Sequence, residues 1–165
     1  MSVLALAACG GSNEDEVVSG TVTGEDGETA EYRISEGDDG EVSYKVESED
    51  GSFELNANSD KPVDLPFGLT LPRGADVQTN MTMNQGEGRP SSTTVIFQTK
   101  QSADDIIAFY KAKAKAEGFK VKTEITSQGT KMFVSQRGDK ESINVSVTEQ
   151  ENGVNVANVS AVTKP

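Results

Sequence analysis

Short runs of alternating apolar and polar residues, separated by acidic pairs and glycine, restrict the fold of this chain more than any other feature. Four such runs lie between Val17 and Ala57, and their apolar members are Val18 and Val22, then Ala30, Tyr32 and Ile34, then Val42, Tyr44 and Val46, then Phe53, Leu55 and Ala57. A period of two is typical of strands with one buried face. Each gap holds an acidic pair and a glycine, which suits a tight hairpin turn. The pattern predicts an up-and-down meander.

One helical pattern interrupts a second series of strand-like runs. Ser102 is a good N-cap with Asp105 three residues later, and Gly118 is a good terminator, so we predict a helix over about 103–117. Strand-like runs occupy residues 77–84, 92–99, 119–126, 131–136, 142–149 and 154–162. The predicted fold class is α+β, a mostly antiparallel β-sheet with one helix packed on a face, preceded by an N-terminal β-meander.

Residues 61–75 are rich in proline and glycine and predict an extended connection. Its apolar residues alternate, so it is either packed across an apolar surface or part of a partner groove, and we favour packing. In the helix, Phe109 and Tyr110 are the expected core anchors, with the Tyr110 hydroxyl at the edge of the core. Six of the nine aromatic residues follow residue 60, which places the better core in the C-terminal part.

The charge of the chain is strongly negative and unevenly distributed. The 165 residues carry 27 acids and 15 bases, a net charge of −12. Residues 1–75 hold 17 acids and 4 bases, whereas residues 76–165 hold 10 acids and 11 bases. A binder of phosphate backbones needs clustered positive charge, so we exclude nucleic acid as a partner. The acidic meander would instead attract a basic protein, through a force that weakens as salt rises.

The residue types exclude several catalytic chemistries. The chain has no histidine and one cysteine, which rules out a histidine-based triad, a Cys/His pair and a cysteine-rich zinc site. We predict that the protein is not an enzyme and uses no cofactor, with a carboxylate-based hydrolase as the exception. The tripeptide Arg137-Gly138-Asp139 resembles an integrin-binding sequence, and we interpret it as a hairpin turn.

The acidic turns of the meander are weak candidates for a calcium site, because calcium prefers carboxylate oxygens. The candidate ligands are Asp26, Asp38, Asp39 and Asp50. Their spacing is not that of an EF-hand loop, so we favour solvated hairpin turns and predict no metal site. A periplasmic protein that binds a small ligand or a cation such as calcium is the alternative function.

The N-terminus carries the most specific motif. Leu6, Ala7 and Ala8 precede the only cysteine, Cys9, and the next seven residues, GGSNEDE, are suited to a flexible tether. This segment resembles the lipobox of bacterial lipoproteins. The resemblance implies that Cys9 carries lipid, that a signal peptidase cuts before it, and that the protein meets the membrane through that lipid. Because Gly10 replaces the aspartate that marks inner-membrane retention, the implied address is the outer membrane, facing the periplasm.

The body of the chain, from Leu65 to Val162, resembles a small module of uncharacterised bacterial envelope lipoproteins, which implies a fold and an address but no activity. The matching segments are Pro66-Phe67-Gly68, Ile96-Phe97-Gln98-Thr99, Ile107-Ala108-Phe109-Tyr110 and Glu117-Gly118-Phe119.

We therefore divide the chain into five parts: a signal remnant (1–8), the lipidated cysteine and tether (9–16), the acidic β-meander (17–60), the Pro/Gly-rich connection (61–75) and an α+β domain (76–165). The predicted function is that of a lipid-anchored bacterial cell-envelope protein of the non-catalytic binding or interaction type, with a basic envelope protein as its partner.

Overall fold

Ten strands and one helix make up the part of the chain that the computed structural model describes, which is residues 16–24, 27–37, 41–57, 63–85, 89–150 and 153–163. The helix, α1 (Ala103–Ala116), follows the sixth strand. The strands are β1 (Glu16–Thr23), β2 (Thr29–Glu36), β3 (Val42–Ser48), β4 (Gly51–Ala57), β5 (Asp76–Asn84), β6 (Ser91–Thr99), β7 (Lys120–Ser127), β8 (Thr130–Arg137), β9 (Glu141–Thr148) and β10 (Asn155–Thr163).

All ten strands belong to one antiparallel sheet in the order β1-β2-β3-β4-β5-β6-β10-β9-β8-β7. Strands β1 to β6 pair in chain order, and β10 then returns to pair with β6. The prediction of a mostly antiparallel sheet with one helix on a face is confirmed. The sheet continues from β4 into β5 without a break in pairing, and the division of the chain at residues 61–75 into separate domains stays a prediction.

Helix α1 begins and ends as its sequence predicts. The Ser102 hydroxyl accepts a hydrogen bond from the Asp105 N–H at 3.2 Å, which caps the helix, and donates one to the Asp105 carboxylate at 2.7 Å. At the other end, Gly118 has a φ of 81°, and the Phe119 N–H donates to the Ala114 carbonyl at 2.9 Å. This left-handed turn satisfies carbonyls that the helix leaves unpaired. The predicted helix is confirmed.

The hydrophobic core lies between α1 and the strands β6, β8, β9 and β10. Its members include the fully buried Phe97, Phe133 and Val159. Leu65 and Leu69, from the Pro/Gly-rich connection, are only 4% exposed and complete the core. The prediction that this connection packs across an apolar surface is confirmed, as is the placement of the better core in the C-terminal part.

The Tyr110 hydroxyl lies inside the core, and the prediction that it reaches the edge is wrong. Tyr110 is 0% exposed, and its hydroxyl has no hydrogen-bond partner among the described residues. Its position on α1 turns the ring directly toward the sheet, whereas the neighbouring Phe109 is only partly buried. Because burial disfavours the charged form, it raises the pKa of the Tyr110 hydroxyl well above the ordinary value.

Arg137, the first residue of the integrin-like tripeptide, joins several elements. Its guanidinium lies 5.1 Å from the centre of the Phe67 ring and 4.7 Å from that of Phe119. It also donates a hydrogen bond to the Glu117 carbonyl and one to the Glu141 carboxylate, both at 2.7 Å. The bond to Glu141 raises the pKa of Arg137. The tripeptide is the hairpin turn between β8 and β9, as predicted, and its arginine fastens the end of α1 to the sheet.

Candidate binding surface

The apolar side chains of the sheet change sides between its two halves. In β6 and β10, the cross-strand pair Val95 and Val159 lies under α1, within the core. The residues that continue this line of cross-strand pairs into β5, β4 and β3 are Asn80, Asn56 and Ser43. Paired residues of an antiparallel sheet project to the same side. The side of the sheet that carries the helix is therefore apolar in β6, β8, β9 and β10, and polar in β1 to β4 and in β5 from Asn80 onward.

A β-bulge in β5 produces this change of side. Val77 pairs with Phe97 and packs against the core, whereas Thr79 pairs with Ile96, the next residue of β6. The extra residue, Gln78, reverses the side to which every following residue of β5 points, as bulges do. Met81 therefore projects away from the helix, although it continues the same alternation as Val77.

We call the apolar side chains of β1 to β5 on the side away from the helix the open face. Most of them form two neighbouring cross-strand rows, one of Tyr32, Val46, Phe53 and Met83 and one of Val18, Ile34, Tyr44, Leu55 and Met81, and Val22 and Val42 lie beside these rows. No described element covers this side, and only lateral neighbours bury these side chains. Val18 keeps 44% of its surface exposed and Met83 keeps 38%.

Contacts among the aromatic residues of the open face fix the positions of their rings. The rings of Tyr44 and Phe53 meet edge to face with their centres 6.1 Å apart. The Tyr32 ring covers Gly20, its cross-strand partner, so closely that a β-carbon on Gly20 would lie 2.8 Å from the tyrosine hydroxyl oxygen. These contacts hold the aromatic side chains in place before any partner arrives, which lowers the entropy that binding must remove.

The open face ends where β6 begins. On the same side of the sheet, the next residues along its rows are Ser92 and Thr94 in β6, followed by Val162 and Ser160 in β10. The Thr94 hydroxyl donates a hydrogen bond to the Ser160 hydroxyl at 3.1 Å. Along the row of Thr94 and Ser160, the covered half of the sheet thus presents hydroxyl groups, whereas the same row in β1 to β5 presents aromatic and aliphatic groups.

The strands that carry most of the open face belong to an acidic part of the chain. Residues 16–57 hold 13 acids and two bases, Arg33 and Lys45. Both bases lie on the helix side of the sheet, where they line a polar groove of about 220 Å³ together with Glu31 and Glu47. The Lys45 ammonium lies 2.9 Å from the Glu47 carboxylate. The local charge is therefore strongly negative, as the sequence predicts.

The residues of the lipobox, Leu6, Ala7, Ala8 and Cys9, lie outside the residues that the structure describes, and lipidation stays a prediction. Where the chain is described, α1 is the only helix, and it is too short and too polar to cross a membrane.

The calcium candidates are not brought together in the described part of the chain. Asp26, Asp38 and Asp39 lie outside it. Asp50 lies within it, and its carboxylate is 3.9 Å from the Arg89 guanidinium. Among the described residues, no group of three or more acidic or cysteine side chains has the geometry to hold a metal ion. Calcium binding stays an alternative.

Comparison with known proteins gives one match. The profile of the START domain-like family matches residues 77–153, a little under half of the chain, from β5 to the turn before β10. No curated protein and no solved structure matches the chain significantly. The matched region contains α1 and most of the core, whereas the open face lies mostly before it.

Proposed function

We propose that this protein is a lipid-anchored module of the bacterial cell envelope that binds a basic protein through the open face. The observation that carries the proposal is an ordered, uncovered apolar surface inside a strongly acidic region. Aromatic residues are enriched at the centres of protein interfaces, and a polar rim around them is the usual arrangement. Nothing in this function requires chemistry at the site.

The chemistry of the partner follows from the charge around the open face. A second copy of this chain would bring a second strongly acidic meander to the contact, and an anionic lipid surface would also be repelled. A basic protein with exposed apolar residues gains from both the charge and the apolar burial. Electrostatic complementarity of this kind mainly accelerates association and selects the partner.

The anchoring part of the proposal rests on the lipobox residues Leu6 to Cys9 and on the polar tether that follows them. A chain held by such a tether stays within a few tens of ångströms of the membrane, since about seven flexible residues reach roughly 25 Å when fully extended. Envelope partners would then meet it at a high local concentration.

Mass spectrometry of the protein purified from its native host tests the anchoring. We expect the mature chain to begin at Cys9 and to carry a diacylglycerol mass, and Cys9→Ser to abolish both features. An unmodified cysteine still joined to Ala8 would contradict the anchoring and leave the binding proposal intact.

Photo-crosslinking in living cells tests the binding. A photoreactive amino acid at Tyr44 should capture one basic protein, whereas the same group at Asn144, on the same side of the sheet in the covered half, should not. The yield at Tyr44 should fall as the salt concentration rises and should fall with Leu55→Ser. Equal capture at both positions, a captured acidic protein, or self-crosslinking alone would contradict the proposal.

A further inference from the structure

A second concave site lies where β5 begins and β6 ends, at the opposite end of these strands from the turn that joins them. It is a cleft of about 450 Å³ between the end of the Pro/Gly-rich connection, the start of β5 and the loop that follows β6. Its size is within the range of small-molecule sites. Most of the wall surface is apolar, and the charged groups on it are Arg73, Asp76 and Lys100.

The loop on one side of this cleft is fixed by hydrogen bonds from three directions. The Gln101 side chain donates to the Arg73 carbonyl at 2.6 Å, and the Gln101 N–H donates to the Thr99 hydroxyl at 3.2 Å. The buried Asn155 side chain donates to the Gln101 carbonyl at 2.7 Å. The two walls are thus joined to each other and to β10, so the cleft exists before a ligand enters it.

The two cationic side chains of the cleft, Arg73 and Lys100, are not neutralised by ion pairs within the described part of the chain. Asp76 leaves the wall with a net charge of +1, in a chain whose net charge is −12. An isolated positive site in an acidic protein selects anions, and the apolar wall beside it selects a ligand with an apolar body.

We propose that this cleft binds a small amphiphilic anion, with a carboxylate or phosphate head group at Arg73 and Lys100 and a short apolar chain along the wall near Val154. The site is independent of the open face. A head group of this kind can accept two parallel hydrogen bonds from the guanidinium, which is the strongest pairing available to it.

Titration of the full chain with octanoate and with octyl phosphate, followed by NMR, tests the site and distinguishes the two head groups. We expect saturable shifts confined to residues 73–76, 98–101 and 154, and at least tenfold weaker binding of 1-octanol and octylammonium. Arg73→Gln should weaken binding about tenfold, because a charge-assisted hydrogen bond is lost. Asp76→Asn should strengthen it by removing a like charge.

The matched control is Arg89→Gln, which removes an exposed arginine at the other end of β6 and should leave the affinity unchanged. Thermal melts of each variant confirm that it is folded, and all three sites are on the surface. Octanol binding as tightly as octanoate, an equal effect of Arg73→Gln and Arg89→Gln, or no saturable shift with either anion would overturn the proposal.

Discussion

The two halves of the sheet have the same alternation of apolar and polar residues, but only one half has its apolar side buried. In β6, β8, β9 and β10, alternate residues such as Phe97 and Val159 are fully buried beneath α1. From β1 to β5, alternate residues such as Tyr44 and Leu55 remain partly exposed on the opposite side. A period of two therefore identifies a strand with one apolar side, but it does not identify what covers that side.

The lengths of the connections explain the difference. Only the segments before β5 and after β6 are long enough to cross a face of the sheet, and both lie on the same side, where they form the core with β6, β8, β9 and β10. The hairpins that join β1 to β4 are too short to do so. A half-sheet without its own cover must leave its apolar side to solvent or to a partner.

A matched pair of phenylalanine truncations gives the largest expected contrast. Phe97→Ala removes a fully buried ring from the core and should lower the free energy of unfolding by about 3–5 kcal/mol. Phe53→Ala, on the open face, should cost about 1–2 kcal/mol because its ring is already partly solvated. Urea unfolding of both variants measures the difference, and equal losses would show that the open face is covered in the free protein.

Glycines in two hairpins provide the next contrast. A β-carbon on Gly51 would lie 2.1 Å from the Asn84 carbonyl oxygen, and its φ is 148°. Gly51→Ala should therefore cost about 3 kcal/mol, since both the clash and the backbone strain oppose it. Gly138 has a φ of 63° and open space around it, so Gly138→Ala should cost only about 1 kcal/mol. A smaller loss at Gly51 than at Gly138 would contradict the pairing of β4 with β5.

Valine-to-threonine substitutions, which change the side-chain shape little, compare the core with the open face. Val159→Thr places a hydroxyl in the core and should cost about 1–3 kcal/mol. Val46→Thr, on the open face, should change stability by less than about 0.5 kcal/mol. Thermal melts at one pH are sufficient, and a loss at Val46 as large as that at Val159 would contradict the exposure of the open face.

Tyr110→Phe should give the smallest effect at neutral pH, between no change and a stabilisation of about 1 kcal/mol, because the hydroxyl that it removes is buried with no partner among the described residues. Its effect on pH dependence is more specific. The unfolded tyrosine loses its proton near its ordinary pKa of 10.0, whereas the folded one retains it. Stability from this group is therefore complete below pH 10 and declines above it, and Tyr110→Phe should remove that part of the decline in alkaline melts. An unchanged alkaline slope would place the hydroxyl in solvent.

Much of the fold was accessible from the sequence. Alternation, acid-glycine turns and the N-cap at Ser102 predict the strands and the helix, and all of these are local signals. The apolar residues of the Pro/Gly-rich connection also predict its packing.

The side of the sheet on which each strand buries its apolar residues could not be predicted. It depends on the bulge at Gln78, and the unbroken alternation of Val77, Met81 and Met83 conceals that bulge. The position of the Tyr110 hydroxyl depends on the rotation of α1 against the sheet. The role of Arg137 depends on Phe67 and Glu117, which are distant in the sequence. The open face and the Arg73 cleft both result from such pairings of distant segments.

Paramagnetic relaxation by a soluble gadolinium chelate, measured by NMR on the free full chain, tests the central claim most directly. We predict strong relaxation of the Leu55 and Met81 methyl groups on the open face and little relaxation of the Val159 and Ile143 methyl groups beneath α1. Equal protection of all four would contradict the account, because the open face would then already be covered in the free protein.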